Sequence, residues 1–273
     1  IFADDMKADR KIKVMGIVNL TDDSFYGASR CADVDSAVST VSRMVGHGAD
    51  IIDFGACSTR PGSVPVGAAE EWRRLEPVLK AVRSVFPEVR ISVDTYWSDV
   101  VRRTYDLLGD FMVNDISSGS ADPEMLSIAG RLDLEYVAMH MMGTHSSMHA
   151  ETVDADVVAH VRRFFEEFSV RAADAGIRRW VLDPGFGFSK TMQQNYELMS
   201  RLSDLKSEYC GYSPDILVGV SRKSMIYRHL DISPEEASCA TQALHMHALS
   251  AGADILRVHD VRETVHTCRI YQA

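Results

Sequence analysis

Gly48-Ala49-Asp50-Ile51-Ile52-Asp53 recurs late in the chain as Gly252-Ala253-Asp254-Ile255-Leu256-Arg257. Each copy opens on the glycine expected just past a helix end and runs on into an apolar strand. The two read as one structural joint used twice. Working outward, six further apolar runs bring the total to eight, over 12–20, 49–55, 89–95, 110–116, 134–141, 180–183, 215–221 and 253–259. Segments of helical periodicity lie between them, over 35–47, 69–85, 97–108, 154–175, 191–209 and 234–250, with a short one at 123–131 ahead of the fifth run. Strand alternating with helix predicts a parallel sheet with right-handed crossovers. Eight such units fit a closed ring better than an open doubly wound sheet. The expectation is an α/β chain folded as one (β/α)8 TIM barrel domain over residues 1–273, with 1–11 as a flexible N-terminal segment.

Composition sets the function classes. The chain is 46% hydrophobic, 25% charged and 8% aromatic, which excludes a disordered tail, a collagen-like repeat and a disulfide miniprotein. With 29 Lys and Arg against 39 Asp and Glu, the formal charge is −10. General nucleic-acid binding needs a basic footprint and is not expected. A small anionic ligand stays compatible, because a few placed cations decide that locally. The five cysteines, Cys31, Cys57, Cys210, Cys239 and Cys268, are odd in number and include no C-x-x-C pair. They read as reduced thiols of a cytoplasmic protein. No apolar run approaches the roughly 18 residues of a membrane span, and no signal-peptide core opens the chain.

The chemistry stands at the C-terminal ends of the strands, which a barrel brings to one rim. These ends carry Asn19; Cys57-Ser58-Thr59-Arg60; Asp94-Thr95; Asn114-Asp115; His140; Asp183; Ser221-Arg222-Lys223-Ser224; and Arg257-Val258-His259-Asp260. Arg60, Lys223, Arg257 and His259 suit a phosphate-like anion, with salt bridges to neighbours such as Asp260 as the alternative. Asp94, Asn114 and Asp183 emerge from strictly apolar runs, where each unmet polar group costs about 1–3 kcal/mol. Inward-facing acceptors of this kind suit a flat, donor-rich heterocycle, and Met139, Met112 and Phe188 offer it apolar faces if they are not simply core. The polar loops 21–29 and 58–66 are candidate lids. His140, His145 and His149 lack a cysteine or carboxylate partner at zinc-ligand spacing. Nucleotide-binding loops and the G-x-S-x-G elbow are absent, while Lys223 as a Schiff-base lysine stays open on position alone.

Taken together, eight segments resemble the dihydropteroate synthase family. They are Met15-Gly16-Ile17-Val18-Asn19-Leu20-Thr21 with Asp23-Ser24-Phe25; Ser58-Thr59-Arg60-Pro61-Gly62; Ser92-Val93-Asp94-Thr95; Asn114-Asp115-Ile116; Met139-His140-Met141 with Gly143-Thr144; 182–188; 221–224; and 257–260. The resemblance implies a barrel that joins 6-hydroxymethyl-7,8-dihydropterin diphosphate to 4-aminobenzoate and releases diphosphate. It implies that Asp94, Asn114, Met139, Asp183, Gly187, Phe188, Lys223 and Arg257 hold the pterin. Asn19, Arg60, Arg257, Val258 and His259 would hold diphosphate, with Asn19 also on Mg²⁺. Thr59, Arg60, Pro61, Ser224 and Phe188 would shape the aminobenzoate side, and Lys223, Arg257, His259 and Arg60 would carry the catalysis. It further implies a cytoplasmic homodimer and a sulfonamide target. Three positions depart from the family pattern: Asp22 replaces a usual proline, Tyr26-Gly27-Ala28 lacks a second acid, and Cys57 replaces a usual glutamate. A corrinoid-type folate methyltransferase barrel and a non-catalytic pterin-binding barrel are the competing readings.

Overall fold

The two Gly-Ala-Asp joints adopt the same structure. Gly48 and Gly252 stand at φ +97° and +104°, a region that only glycine occupies freely. Each terminates its helix, and the aspartate two residues on caps the preceding strand. Val14 N donates to Asp50 Oδ2 at 2.9 Å, and Ile216 N donates to Asp254 Oδ2 at 2.7 Å. Returning bonds run from Asp50 N to the Val14 carbonyl and from Asp254 N to the Ile216 carbonyl. The joint therefore sets strand register as well as ending a helix.

The computed structural model describes residues 12–20, 34–57, 66–143 and 156–273. Its strands are β1 (Lys13–Asn19), β2 (Ile51–Gly55), β3 (Arg90–Asp94), β4 (Met112–Asp115), β5 (Glu135–Met139), β6 (Trp180–Asp183), β7 (Asp215–Val218) and β8 (Ile255–Val258). All eight fall within the expected runs. They pair in parallel in chain order, and β1 closes on β8 to form a barrel. The helices are α1 (Val34–Gly46), α2 (Ala68–Val85), α3 (Ser98–Leu108), α4 (Met125–Arg131), α5 (Val157–Asp174), α6 (Met192–Ser200), α7 (Ser224–Leu230), α8 (Ser238–Ser250) and α9 (Val261–Gln272). None of the described helices is long and apolar enough to cross a membrane. Residues 1–11, expected as a flexible segment, and most of both candidate lids lie outside the described residues.

Strand alternation splits the core in two. Outward residues such as Val14, Val18, Ile52, Phe54, Ile91, Val93 and Val113 pack against the helices in one large cluster. The α1 stripe of Ala37, Thr40, Val41 and Met44 answers them at helical spacing. Inward, a separate cluster of Met15, Ile51, Met112, Val137, Val181, Leu217 and Ile255 forms the floor of the barrel. Met112, one expected face for a bound ring, belongs to this floor and not to the site.

Three helix expectations change. The segment 191–209 is not one helix: α6 ends at Ser200, and a 3-10 turn, Leu202–Leu205, follows. Leu202 and Leu205 are both fully buried, three residues apart, which suits the tighter turn. The segment 234–250 becomes helical only at Ser238, after a turn in which Ser233 N and Oγ both donate to Glu236 Oε2. The helices α7 and α9 were not among the periodic segments.

Candidate active site

Register brings those expected site residues that are described to one rim. Asn19 is paired with Gly55, Gly55 with Asp94, and Asp94 with Asn114. Met139 is paired with Asp183 on the far side. Two residues above the floor, Asp53, Asp94, Asn114, Asp183 and Arg257 replace Ile51, Ser92, Met112, Val181 and Ile255.

Arg257 joins this layer together. Its Nε donates to Asp53 Oδ2 at 2.7 Å and its Nη2 to Asp94 Oδ2 at 2.9 Å. Asp53 also accepts from Ser92 Oγ at 2.6 Å and Asn114 Nδ2 at 3.1 Å. Burial alone would weaken the guanidinium cation, but Asp53 and Asp94 outweigh it and hold Arg257 charged. Its Nη1 makes no hydrogen bond among the described residues.

The carboxyl groups are poised differently. Burial pushes Asp94 up to about 7, opposed by Arg257 and reinforced by Asp53, Asp115 and Asp183. Burial also raises Asp183, against Lys223, the Gly185 N–H (2.8 Å), Arg257 and Lys190. Lys223 is drawn down to about 8 by burial, with Asp183 opposing. Its Nζ donates to the Phe186 carbonyl at 2.5 Å and lies 4.6 Å over the Phe188 ring. A Cβ on Gly187, which stands at φ +82°, would sit 3.2 Å from Lys223 Cδ, so glycine keeps the lysine seated. Beside these charges Tyr96, Ile116 and Met139 form a small apolar cluster, edged by Cys57, Trp97, Met141 and Phe188.

His259 differs from its expected role as a cation. Burial, with Arg257 adding to it, lowers its pKa to about 3. Ser221 Oγ accepts from His259 N at 3.2 Å and lies 3.1 Å from Nδ1. With the Ser221 hydroxyl donating to Nδ1, the imidazole proton sits on Nε2.

Asp260 is salt-bridged, but to Arg222 and not to Lys223 or Arg257. Arg222 Nε and Nη2 meet the two Asp260 oxygens at 2.9 and 2.8 Å, and Nη1 takes the carbonyls of Pro234 and Glu235. This clasp fastens the β7–α7 turn to the start of α9. Val258, expected at the diphosphate, turns its side chain into the outer core, so only its main chain can serve there. Ser224 opens α7 directly after Lys223. Thr59, Arg60 and Pro61 lie outside the described residues, as do Asp22, Gly27, His145 and His149. Cys57 stands 3.5 Å from the Tyr96 hydroxyl, and burial raises its thiol.

With this geometry in place, likeness to known proteins becomes decisive. The family profile described as pterin binding enzyme matches residues 15–259. The dihydropteroate synthase of Escherichia coli K12 is 41% identical over 262 residues, covering 95% of this chain and 90% of its own. The chain belongs to the dihydropteroate synthase family. Among solved dihydropteroate synthases, that of Yersinia pestis with a sulfonamide drug complex gives a TM-score of 0.90 at 36% identity, covering 97% of this chain and 94% of that one. The Burkholderia cenocepacia dihydropteroate synthase complexed with 7,8-dihydropteroate gives 0.85 at 35% identity, covering 96% and 91%.

For this dihydropteroate synthase family member, the sequence reading missed three groups at the rim. Asp53 is the anchor of Arg257, and its signal was available: a carboxylate inside the apolar run Ile51-Ile52-Asp53-Phe54, the same cue that marked Asp94. Lys190 lies buried behind the Asp183 loop. Glu71, in the first turn of α2, is fully buried and neither oxygen makes a hydrogen bond of normal geometry. Burial pushes Glu71 up to about 8, which the Thr95 hydroxyl offsets only in part. Its one signal was position: Glu71 falls at helical spacing on the stripe of Leu75, Val78, Leu79 and Val82, which its half-buried neighbour Glu70 does not share.

Proposed function

We infer that this chain, a transferase, condenses 6-hydroxymethyl-7,8-dihydropterin diphosphate with 4-aminobenzoate to give 7,8-dihydropteroate and diphosphate. The observation that carries this reading is the meeting of Asp94, Asn114 and Asp183 with Lys223 and Arg257 at one rim, beside the apolar wall of Met139 and Phe188. Carboxylates at that depth suit the N–H edge of a pterin, whose donors favour the ionised form and draw Asp94 below its ligand-free value of about 7. Gly187 continues the wall that Phe188 forms.

The leaving group falls to the neighbouring cations. Arg257 Nη1 and His259 Nε2–H are donors for diphosphate, joined in this reading by Asn19, Arg60 and the main chain at Val258. An arriving diphosphate raises the pKa of His259 and favours its charged form. As the C–O bond breaks, its electron pair leaves with diphosphate, and these donors stabilise the growing charge. The carbon left behind is cationic and delocalised into the pterin, with Asp94 and Asp183 as fixed negative neighbours, so the path is dissociative and SN1-like. The 4-aminobenzoate nitrogen then forms the C–N bond and gives up its proton to solvent. Being neutral already, it needs positioning more than a base, and Thr59, Arg60, Pro61, Ser224 and Phe188 are assigned to that task.

Mg²⁺ fits the donor set. The described residues hold no group of three or more His, Cys, Asp or Glu able to bind a metal. Mg²⁺, however, takes few protein ligands and completes its shell with water and phosphate oxygens. The Asn19 amide oxygen would be such a ligand, and the bound ion would neutralise charge on the departing diphosphate. The resemblance also carries a cytoplasmic homodimer, which sedimentation of the purified chain and cell fractionation test. The deciding experiment is a diphosphate-release assay. Release is expected only with both substrates and Mg²⁺, and no turnover with authentic pterin diphosphate would sink the reading.

A further inference from the structure

Lys190 has no part in the roles above, yet it is among the most enclosed cations in the fold, 9% exposed. Its Nζ lies 2.9 Å from His140 Nδ1 and donates to the carbonyls of Gly185 at 3.0 Å and Phe188 at 3.1 Å. Burial draws Lys190 down to about 7, against the pull of Asp183. In the ammonium form, which Asp183 favours, Nζ has a hydrogen for each of these three partners, and His140 then offers its Nδ1 lone pair and carries its proton on Nε2. That Nε2 is buried without a hydrogen-bond partner, against the rings of His160 and Phe164. Burial and the Lys190 charge both keep His140 neutral.

The peptide of Gly185 links Lys190 to the pterin slot. Its N–H donates to Asp183 Oδ1 while its carbonyl takes Lys190 Nζ. Gly185 stands at φ +70°, and a Cβ there would come within 2.0 Å of the His140 carbonyl oxygen. Only glycine lets the end of β5 and the β6 loop approach so closely. From the opposite side Lys223 holds the Phe186 carbonyl and covers Phe188. The loop is thus clamped between two ammonium groups, with Asp183 beside both.

We propose that Lys190 is a positioning residue for the pterin slot, fixing the Phe188 loop from behind and giving Asp183 a second positive neighbour while Lys223 faces the substrate. A peg with only a packing role needs no charge, and an apolar side chain of the same length would fill the space at lower desolvation cost. The charged and titratable groups around the pair are His140 from β5 and His160 from α5 on the Lys190 side. Lys223 after β7, Arg257 of β8 and Asp94 of β3 face Asp183.

The inference rests on the pterin reading of the site, so its test is calorimetric binding of the dihydropterin diphosphate from pH 5 to 9. Lys190→Met is expected to weaken binding about tenfold near neutrality. Its acid limb should also move to higher pH, because loss of a positive neighbour favours protonated Asp183. Lys190→Arg keeps the charge and should leave that limb at the wild-type position, even where affinity falls. An acid limb unmoved in Lys190→Met, or moved as far in Lys190→Arg, overturns the proposal. If Lys190→Met does not melt cooperatively, Lys190→Gln replaces it with the same readings. A wild type that fails to bind the pterin overturns both readings, whereas binding without turnover strikes only the proposed reaction.

Discussion

Two layers of the same barrel, one step of alternation apart, have opposite characters. Ile51, Met112, Val181 and Ile255 pack into a dry floor; Asp53, Asn114, Asp183 and Arg257 stand two residues further along the same strands. The floor is held by dispersion and apolar burial and has no directional demand. The layer above is held by charge pairing, and every partner there is specified. One strand marks the transition: β3 contributes no residue to the floor cluster, and its inward Ser92 reaches up to Asp53. Stability and chemistry are therefore separable by depth within a single ring of strands.

Substitutions at the two depths sharpen or break that separation. The largest effect is expected for Arg257→Leu, which removes the shared partner of Asp53 and Asp94 together with a leaving-group donor. Steady-state kinetics should show kcat/KM falling about 10³-fold, near 4 kcal/mol; a loss under tenfold would mean the upper layer is structural. Next comes Leu217→Ala in the floor, expected to cost about 3 kcal/mol of unfolding free energy in urea. Both KM values should stay within about twofold, since no directional contact is lost. A large change in pterin KM there would dissolve the distinction.

Lys223→Ala should weaken pterin binding by about 10- to 100-fold by calorimetry and slow turnover as well. Unchanged affinity would remove Lys223 from the slot. The smallest effect belongs to Glu71→Gln. The wild-type carboxyl titrates near 8 in the fold and near 4.3 when unfolded, so the native state binds the extra proton between those values. Stability contributed by that proton is complete at low pH and lost as pH rises toward 8. Glu71→Gln should flatten this slope and gain about 1–2 kcal/mol over wild type on going from pH 6 to pH 8. Parallel pH–stability curves for the two proteins would show that Glu71 is partnered and ionised.

The strands were readable because each lies in a short apolar run with polar residues at or just past its C-terminal end. That contrast also marked Asp94, Asn114 and Asp183, whose polarity contradicts their apolar runs. Pairing was not readable. That Arg222 and not Arg257 takes Asp260 depends on where α8 begins, and sequence places that only within several residues. The helix α9 went unread because its buried stripe is thin, Val261, Thr264 and Cys268, with a threonine at its centre. The short helix α7 went unread because its seven residues follow a polar turn. Lys190 looked like the end of a glycine-rich loop, and its burial arises from the approach of the end of β5, 50 residues away along the chain but adjacent in space.

Closure of β1 against β8 places Met15 beside Arg257 and Gly16 beside Val258. During synthesis the strands leave the ribosome in order, so Asp53, Asp94 and Asp183 all emerge before the arginine that reconciles them. Until β8 is threaded home, the nascent ring is both open at its seam and carries like charges facing one another, and it has every reason to stay expanded. The last residue of the upper layer to be made is thus the cation its carboxylates wait for, and a ribosome stalled short of Arg257 would hold that layer unpaired.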